Sequence, residues 1–233
     1  MNFSVIIPAH NEEANIEKVI NSLENNVVGE YEIVVIDDHC ADKTADIVRG
    51  LAIKYKNIRL VENNDEPGFA NALKAGFNNI KSEIVIPVMA DLCDDPKTIN
   101  QMYKLALEGF DIVCGSRYMK EGRKIGGPSF KTFFSRFVGL SLNFFIGIPT
   151  HDISNSFKLY KKKVLENIKM ESGGFEISAE IPLRAYFLGF KITEIPTTWF
   201  DRKEGESKFN LFKQGFGYLK LYLWAIGQNL CRH

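Results

Sequence analysis

Five short runs rich in Val and Ile are separated by stretches whose apolar residues recur at helical spacing. This alternation constrains the fold more than any other feature of the chain. The runs are FSVIIPA (3–9), EIVVIDD (32–38), IRLVEN (58–63), EIVIPVMA (83–90) and DIVCGSR (111–117), with amphipathic helices predicted near 12–25, 42–55, 68–80 and 96–108. Strands dominated by β-branched residues and separated by helices predict parallel β-α units with both sheet faces covered. In such sheets ligands sit outside the carboxyl ends of the strands. The polar clusters HNEE, DDHCADKT, NNDEPG and ADLCDD all follow strand ends. Four polar or acidic loops are therefore expected to converge on one rim.

After Tyr118 the alternation stops. Residues 128–146 read as an amphipathic helix, with Phe130, Phe133, Phe134 and Phe137 among the apolar positions at helical spacing. Residues 152–165 return to a strand and a helix, 173–189 predict a helix, 190–199 a strand, 200–209 a polar loop and 210–230 an aromatic helix. No repeat, low-complexity tract or linker interrupts the chain. Residues 1–210 are expected to form one domain, with 211–233 as an amphipathic appendage.

Lys+Arg 29 and Asp+Glu 29 cancel, which argues against nucleic acid as a partner. The charge is uneven, however: four basic residues and no acid lie between Gly122 and His151, and again between Ser207 and His233. The longest uncharged run, Phe137 to His151, is about 15 residues, short of the roughly 20 that span a bilayer. The helix over 128–146, with Lys131 and Arg136 among its phenylalanines, suits a headgroup layer better than a bilayer core. The aromatic tail, with Trp224 and several tyrosines, has the same character. The alternative is that both helices pack on the sheet or on another subunit. The chain enters its first strand without a charged leader, so no secretory signal is expected. Four scattered cysteines suggest reduced thiols rather than a zinc site or disulfides.

The strand-end loops hold the candidate site residues. Pro8, His10, Asn11 and Glu12 form either a turn with Asn11 as a helix cap or part of a binding rim. Asp37 and Asp38 adjoin at the end of a buried strand, where carboxylates repel unless something pairs with them. A base N–H or ribose hydroxyls could be that partner. The Pro67-Gly68 turn runs into a helix, so it is either a tight turn or a set of backbone N–H groups facing an anion. Asp91 heads an acidic run with Asp94 and Asp95. Arg117 stands just past a strand, and Lys131 and Ser135 share a helix face; together these three donors would suit a phosphate.

In this order and at this spacing, VIIPAHNEE, EIVVIDDHCADKT, VMADLCDDP, GSRY and DRKEGESKF resemble the family 2 glycosyltransferases. Within those they are similar to the polyprenyl-phosphate (dolichyl-phosphate) mannosyl and glucosyl synthases, over about residues 3–210. The resemblance implies an α/β domain of the GT-A fold, with a central, mostly parallel sheet flanked by helices. It implies a GDP- or UDP-hexose donor, a polyprenyl-phosphate acceptor and Mg2+ or Mn2+. Pro8, Ala9, His10 and Glu12 would line the nucleoside pocket beside Asp37, Gly68 and Met89, with Asp38 reading the base. Asp91 would be the second acid of the family's Asp-x-Asp and would hold the cation. Arg202 and Lys208 would close over the donor pyrophosphate and share the catalytic work with Asp91. Arg117, Lys131 and Ser135 match positions that grip the acceptor phosphate, and Glu180 matches an acid near the acceptor side.

The sequence departs from this pattern in places. Met89 replaces the first acid of the Asp-x-Asp pair, Cys93 replaces a polar residue, and Ser156 and Lys158 replace Gly and Arg in the D-x-x-S-G-F-R segment. Lys131 stands where arginine is more usual. Magnesium needs only about one or two carboxylates when substrate phosphates supply the rest. Asp91 is therefore expected to suffice, with reduced metal affinity and with Asp94 helping through water. The implied reaction is a single in-line displacement with inversion, in which an anionic lipid phosphate needs no general base. A saccharide hydroxyl, the alternative acceptor, would require one, with Glu176 or Glu180 as candidates. A nucleotide-sugar-binding relative of weakened activity is the other alternative. The chain is expected to be peripheral at the cytoplasmic face of the membrane, and a homodimer or a membrane partner protein is left open.

Overall fold

The computed structural model describes residues 2–202 and 211–232. In chain order the elements are β1 (Phe3–Ala9), α1 (Ile16–Asn26), β2 (Tyr31–Asp37), α2 (Thr44–Lys54), β3 (Ile58–Glu62), α3 (Phe69–Asn78), β4 (Ile84–Pro87), α4 (Lys97–Leu107) and β5 (Ile112–Ser116). There follow β6 (Arg123–Ile125), α5 (Ser129–Ile146), β7 (Lys158–Lys161), α6 (Lys162–Asn167), α7 (Ile177–Phe187), β8 (Ile192–Pro196), β9 (Thr198–Phe200) and α8 (Leu211–Leu230).

Strand β1 is buried along its whole length, because successive side chains enter opposite cores. Val5 and Ile7 join the core beneath α1, α2 and α4, whereas Ile6 joins the core beneath α3, α6 and α7. The central sheet has the order β3-β2-β1-β4-β7-β5-β8. Its neighbours are parallel except at β7, which runs antiparallel to both β4 and β5. The sheet is thus mostly parallel and covered on both faces, as the alternating runs imply. The carboxyl ends of β1, β2 and β4 lie side by side.

Two departures from the sequence expectation have a clear local reason, and one short strand was not expected at all. Helix α1 begins at Ile16 rather than near residue 12, because the Asn15 and Ile16 N–H groups both donate to Glu12 O and close a turn first. The strand expected over 190–199 breaks at Thr197. There β8 leaves the main sheet and β9 pairs with β6 in a separate parallel ribbon. Strand β6 itself, Arg-Lys-Ile, is too short and too charged to announce itself by alternation.

Helices α5 and α8 pack on one another and on α7 around Leu142, Ile146, Leu183, Leu221 and Ala225. Their other faces leave Phe130, Phe133, Phe144, Phe145, Phe216 and Leu223 exposed. Each helix is therefore packed on one side and bare on the other. The close approach of α5 to the following loop depends on Gly139, where an added Cβ would stand 2.1 Å from the His151 carbonyl oxygen. The obstructing atom is backbone, so Gly139→Ala is expected to destabilise the fold by about 1–3 kcal/mol, the usual range for overpacking. Gly50→Ala, inside α2 with nothing within 4 Å of the added methyl, is expected to stabilise by roughly 0.5–1 kcal/mol. Chemical denaturation of the two variants checks these opposite signs.

Candidate active site

Three strand-end loops form the rim, and each contains a residue forced into left-handed backbone. Asn11 (φ 55), His39 (φ 56) and Leu92 (φ 62) are not glycines. Each is next to a carboxylate of interest: Glu12, Asp38 and Asp91. Such residues store of the order of 1–3 kcal/mol of strain each and cluster at functional loops. Here the strain re-aims the following or preceding side chain toward the space above the sheet.

The acids at this rim are held by the chain itself. Asp38 is buried and accepts hydrogen bonds from Asn63 Nδ2 (2.7 Å) and from the Gly68 N–H (3.0 Å to Oδ2). Its backbone carbonyl accepts from His10 Nδ1, which fixes that imidazole's proton on Nδ1. The Gly68 N–H is therefore directed at Asp38 rather than at an external anion, which favours the tight-turn reading of Pro67-Gly68. Asp37 turns aside: its Oδ1 accepts from the Cys40 N–H at 2.8 Å, and the residue does not line the cavity. The repulsion foreseen between the two carboxylates is relieved by donors within the chain, with no nucleoside needed.

Asp91 sits at the head of the loop after β4. Its Oδ1 accepts from the Cys93 N–H (3.1 Å), and its Oδ2 accepts from Arg202 Nη2 (3.1 Å). The same guanidinium nitrogen lies 3.7 Å from Glu12 Oε1. Arg202 reaches this place because β9 is stitched to the Asp91 loop: Phe200 N–H donates to Cys93 O at 2.9 Å, and Trp199 bridges Asp94. Asp94 points back under the loop, with Oδ2 3.5 Å from the Met89 N–H, and does not line the cavity. Desolvation first, and then the Asp91 charge, push its pKa up to about 7. It is thus placed as a strained support of the loop rather than as an outward-facing ligand.

Among the described residues, no three His, Cys, Asp or Glu side chains come together to hold a metal ion. The guanidinium between Asp91 and Glu12 nonetheless marks a place built for positive charge. Two carboxylates facing one cation are the oxygen donors that Mg2+ or Mn2+ takes when a diphosphate completes its shell. The residues present fit such a substrate-completed ion and not a self-sufficient site.

Pro8, Ala9, His10, Glu12, Asp38, Gly68, Met89, Asp91, Arg117, Lys131, Ser135 and Arg202 all line one cavity of about 1290 Å³. Lys208 lies outside the described residues. Glu180 does not line the cavity: it is buried on α7, where its carboxylate accepts from Arg184 Nε (2.7 Å) and from the N–H groups of Glu171 and Ser172. It organises the loop before α7, which accounts for an acid at that position without an acceptor. Arg117 is committed to buried Asp152 through Nε–Oδ2 (2.7 Å) and Nη2–Oδ1 (2.8 Å), and Ser135 Oγ shares a hydrogen bond with the Tyr118 hydroxyl.

Sequence reasoning missed several of the residues gathered here. Asp152 opens the segment that matches D-x-x-S-G-F-R, DISNSFK in this chain, but nothing there shows that it pins Arg117. Asn63, in the NNDEPG cluster, holds Asp38, and Lys124 and Trp199 line the cavity with no local pattern to mark them. Burial penalises the Asp152 carboxylate, yet the Arg117 charge and its hydrogen bonds hold the pKa below the usual carboxylate range. Lys158, fully buried, donates to the carbonyls of Ile153 and Asn155 and so fastens the turn carrying Asp152.

The cavity changes character along its length. At the strand ends it is polar. Toward α5 and α8 it is walled by Phe134, Phe137, Val138, Tyr218 and Tyr222. Arg117, Lys124 and Lys131 also line it. Lys124 reaches from the β6–β9 ribbon to Thr132 on α5, Tyr118 beside Arg117 meets Ser135 of the same helix, and Lys131 lies on that helix.

A family model described as "Glycosyl transferase family 2" matches residues 4–169. The chain is 32% identical over 225 residues to a dolichol-phosphate mannosyltransferase of Pyrococcus furiosus, covering 94% of this chain and 62% of that protein. It therefore spans less than two thirds of the length of that relative. It is 26% identical to a polyprenol monophosphomannose synthase of Mycolicibacterium smegmatis, covering 98% of this chain and 88% of the other. Among solved structures it is similar to glucosyl-3-phosphoglycerate synthase from Mycobacterium tuberculosis in complex with Mn2+, UDP and glucosyl-3-phosphoglycerate. There the TM-score is 0.71 at 20% identity, covering 97% of this chain and 80% of that one. At that identity the likeness shows the fold, which is GT-A.

Arg117→Met would leave Asp152 buried without its counter-charge and is expected to cost about 3–5 kcal/mol. Asp152→Asn added to it should recover most of that loss. Because the folded pKa of Asp152 is depressed, the pair's stabilisation is present above the unfolded value of about 3.9. It is lost as pH falls through the lower folded value. Denaturation curves between neutral pH and strong acid should show a shallower acid loss in the double variant than in the wild type.

Proposed function

Since the chain belongs to glycosyl transferase family 2, we propose that it is an inverting transferase moving a hexose from a GDP- or UDP-sugar to a polyprenyl phosphate. The observation that carries this reading is the single cavity joining the acid-lined rim to an apolar wall of α5 and α8, with cations at the junction. A nucleotide-sugar needs the first region, a phosphate the second and a lipid chain the third. The names of the polyprenol and dolichol relatives favour the same acceptor.

The acceptor phosphate enters as an anion, and one of its oxygens attacks the anomeric carbon from the face opposite the leaving group. The new bond is phosphate oxygen to C1, and the bond broken is C1 to the diphosphate oxygen, whose electron pair leaves with the nucleoside diphosphate. Arg202 accepts part of that departing charge, the kind of preorganised stabilisation that contributes most in such reactions. Asp91, with Glu12 nearby, would hold a Mg2+ or Mn2+ ion brought by the donor diphosphate, and the ion would supply further charge neutralisation. His10 and Asp38 line the nucleoside end. No proton transfer is required. The carboxylates lining the cavity fit that economy: Asp38 is held by Asn63 and Gly68, Asp91 and Glu12 share Arg202, and Asp201 accepts the Gly127 N–H. Glu176 and Glu180, the candidate bases for a hydroxyl acceptor, are not among the lining residues.

The exposed aromatic faces of α5 and α8 and the basic residues between Gly122 and His151 support peripheral docking at the cytoplasmic membrane surface. Among the described residues no helix is long and apolar enough to cross a membrane. Transfer is tested by incubating the protein with GDP- and UDP-hexoses, Mg2+ or Mn2+, and a polyprenyl phosphate. A lipid-linked sugar phosphate of inverted anomeric configuration is expected. Retention, or transfer only to a saccharide hydroxyl, overturns the mechanism. Asp91→Asn should lower kcat by about 100-fold or more, comparable to removal of one preorganised electrostatic group. In flotation with anionic liposomes the protein should rise with the lipid, and Phe133→Ser with Phe144→Ser should return it to the soluble fraction.

A further inference from the structure

Of the cations lining the cavity, Arg117 is tied to Asp152, and Arg202 lies between Asp91 and Glu12. Lys124 differs from both. It lies on β6, lines the cavity and makes no ion pair among the described residues. Its ammonium donates to Thr132 Oγ1 and stands 5.1 Å from the centre of the Trp199 ring. Both partners are neutral.

The holding of this lysine is specific. The Thr132 hydroxyl proton is directed to Pro128 O at 3.2 Å, which turns an oxygen lone pair toward Lys124. Trp199 is the register partner of Lys124 in the β6–β9 ribbon and covers one side of it. Gly127, in left-handed backbone at φ +79, passes so close that an added Cβ would lie 3.2 Å from Nζ. An ammonium has three N–H donors, and Thr132 takes one of them. Burial, and then Arg117, hold the pKa of Lys124 below the ordinary lysine value against the opposing charges of Asp201 and Asp152, so the half-buried side chain is a cation beside another cation whose repulsion those acids leave incompletely offset. An anion between them would relieve both effects. Pro128, the residue preceding α5, lines the same cavity, so the positive end of that helix opens there too.

We propose that Lys124 is a phosphate-binding residue of this site, its ammonium taking a phosphoryl oxygen of the ligand at the junction between the polar rim and the apolar wall. The inference rests on the transferase reading for the ligand's identity. Two sources offer the same chemistry: the monophosphate of the lipid acceptor and the diphosphate of the donor.

The test compares wild type, Lys124→Met and Lys124→Arg in calorimetric binding of GDP, UDP and citronellyl phosphate, a short prenyl phosphate. A charge-assisted hydrogen bond of about 1.5–3 kcal/mol corresponds to roughly 10- to 100-fold in affinity. Lys124→Met should weaken at least one ligand class by that factor, and Lys124→Arg should retain most of the affinity. Weakened citronellyl phosphate assigns the contact to the acceptor, and weakened GDP or UDP assigns it to the donor. In ¹³C-dimethylated protein, the lysine resonance missing from Lys124→Arg should move when the same ligand is added to wild type. This measurement decides the matter if Lys124→Met melts early. Wild type binding its ligands while both variants bind equally well, with that resonance unmoved, overturns the role of Lys124 and leaves the transferase reading intact. Wild type binding none of the three ligands removes the transferase reading and this inference with it.

Discussion

The rim depends on a three-residue strand that is hydrogen-bonded on both sides. Thr198–Phe200 pairs with Arg123–Ile125 along one edge, and along the other it meets the Asp91 loop through Trp199–Asp94 and Phe200–Cys93. Asp201 adds a third fastening, its Oδ2 accepting the Gly127 N–H at 3.1 Å. A β-strand this short has little stability of its own, so each edge holds the other in place. The outcome is that Arg202 faces an acid 111 positions earlier in the chain. It also places Lys124 and Trp199 in register on the same ribbon. Cation, acid and ring are thus parts of one small mechanical unit.

Around that unit, the structure answers each acid with a donor before any ligand arrives. Asp38 takes an amide and a backbone N–H, Asp91 takes Arg202, and Asp152 takes Arg117. In a poorly solvated site an unanswered carboxylate would be expensive, and an answered one fixes the geometry of its neighbours. The three non-glycine residues in left-handed backbone at the rim have the same logic. Strain there survives only because hydrogen bonds on either side over-determine the loops. Asp94 is the exception: it has one long contact to a backbone N–H and a raised pKa, and it records the cost of crowding acids at one strand end.

The sheet was legible because its strands are long, β-branched and buried on both faces, so β1 to β5 and the helices between them follow from periodicity alone. The rim was legible in position, since polar loops at parallel strand ends must converge. What the sequence did not disclose is pairing across long separations. A period-two pattern cannot show that residues 190–199 divide between two sheets, or that β7 enters the sheet antiparallel. Asp152 and Arg117 are 35 positions apart, and Asn63 and Asp38 are 25 apart; no local spacing predicts either contact. The Pro67-Gly68 turn can be read from sequence either as a tight turn or as an anion site, and the family resemblance places Glu180 near the acceptor. In the folded chain the Gly68 N–H meets Asp38 while the residue still lines the cavity, and Glu180 is taken up by Arg184 and two backbone N–H groups.

The question that Met89 raises, whether one acid is enough, becomes a question about where charge resides. In the proposed reaction an anionic phosphate attacks and an anionic diphosphate departs, so negative charge moves between two neighbouring places without a proton changing hands. A site for such a reaction needs fixed cations at both places more than it needs a dense cluster of acids. Arg202 is fixed at the leaving end by Asp91 and Glu12. At the other end Arg117 is fixed by Asp152, and Lys124, held by Thr132 and Trp199, adds a fixed cation at the junction. Because these groups are oriented in advance, little reorganisation is left to the moment of transfer, which is where electrostatic catalysis gains most. A second acid at position 89 would add affinity for a metal, but the division of positive charge between two ends does not depend on it.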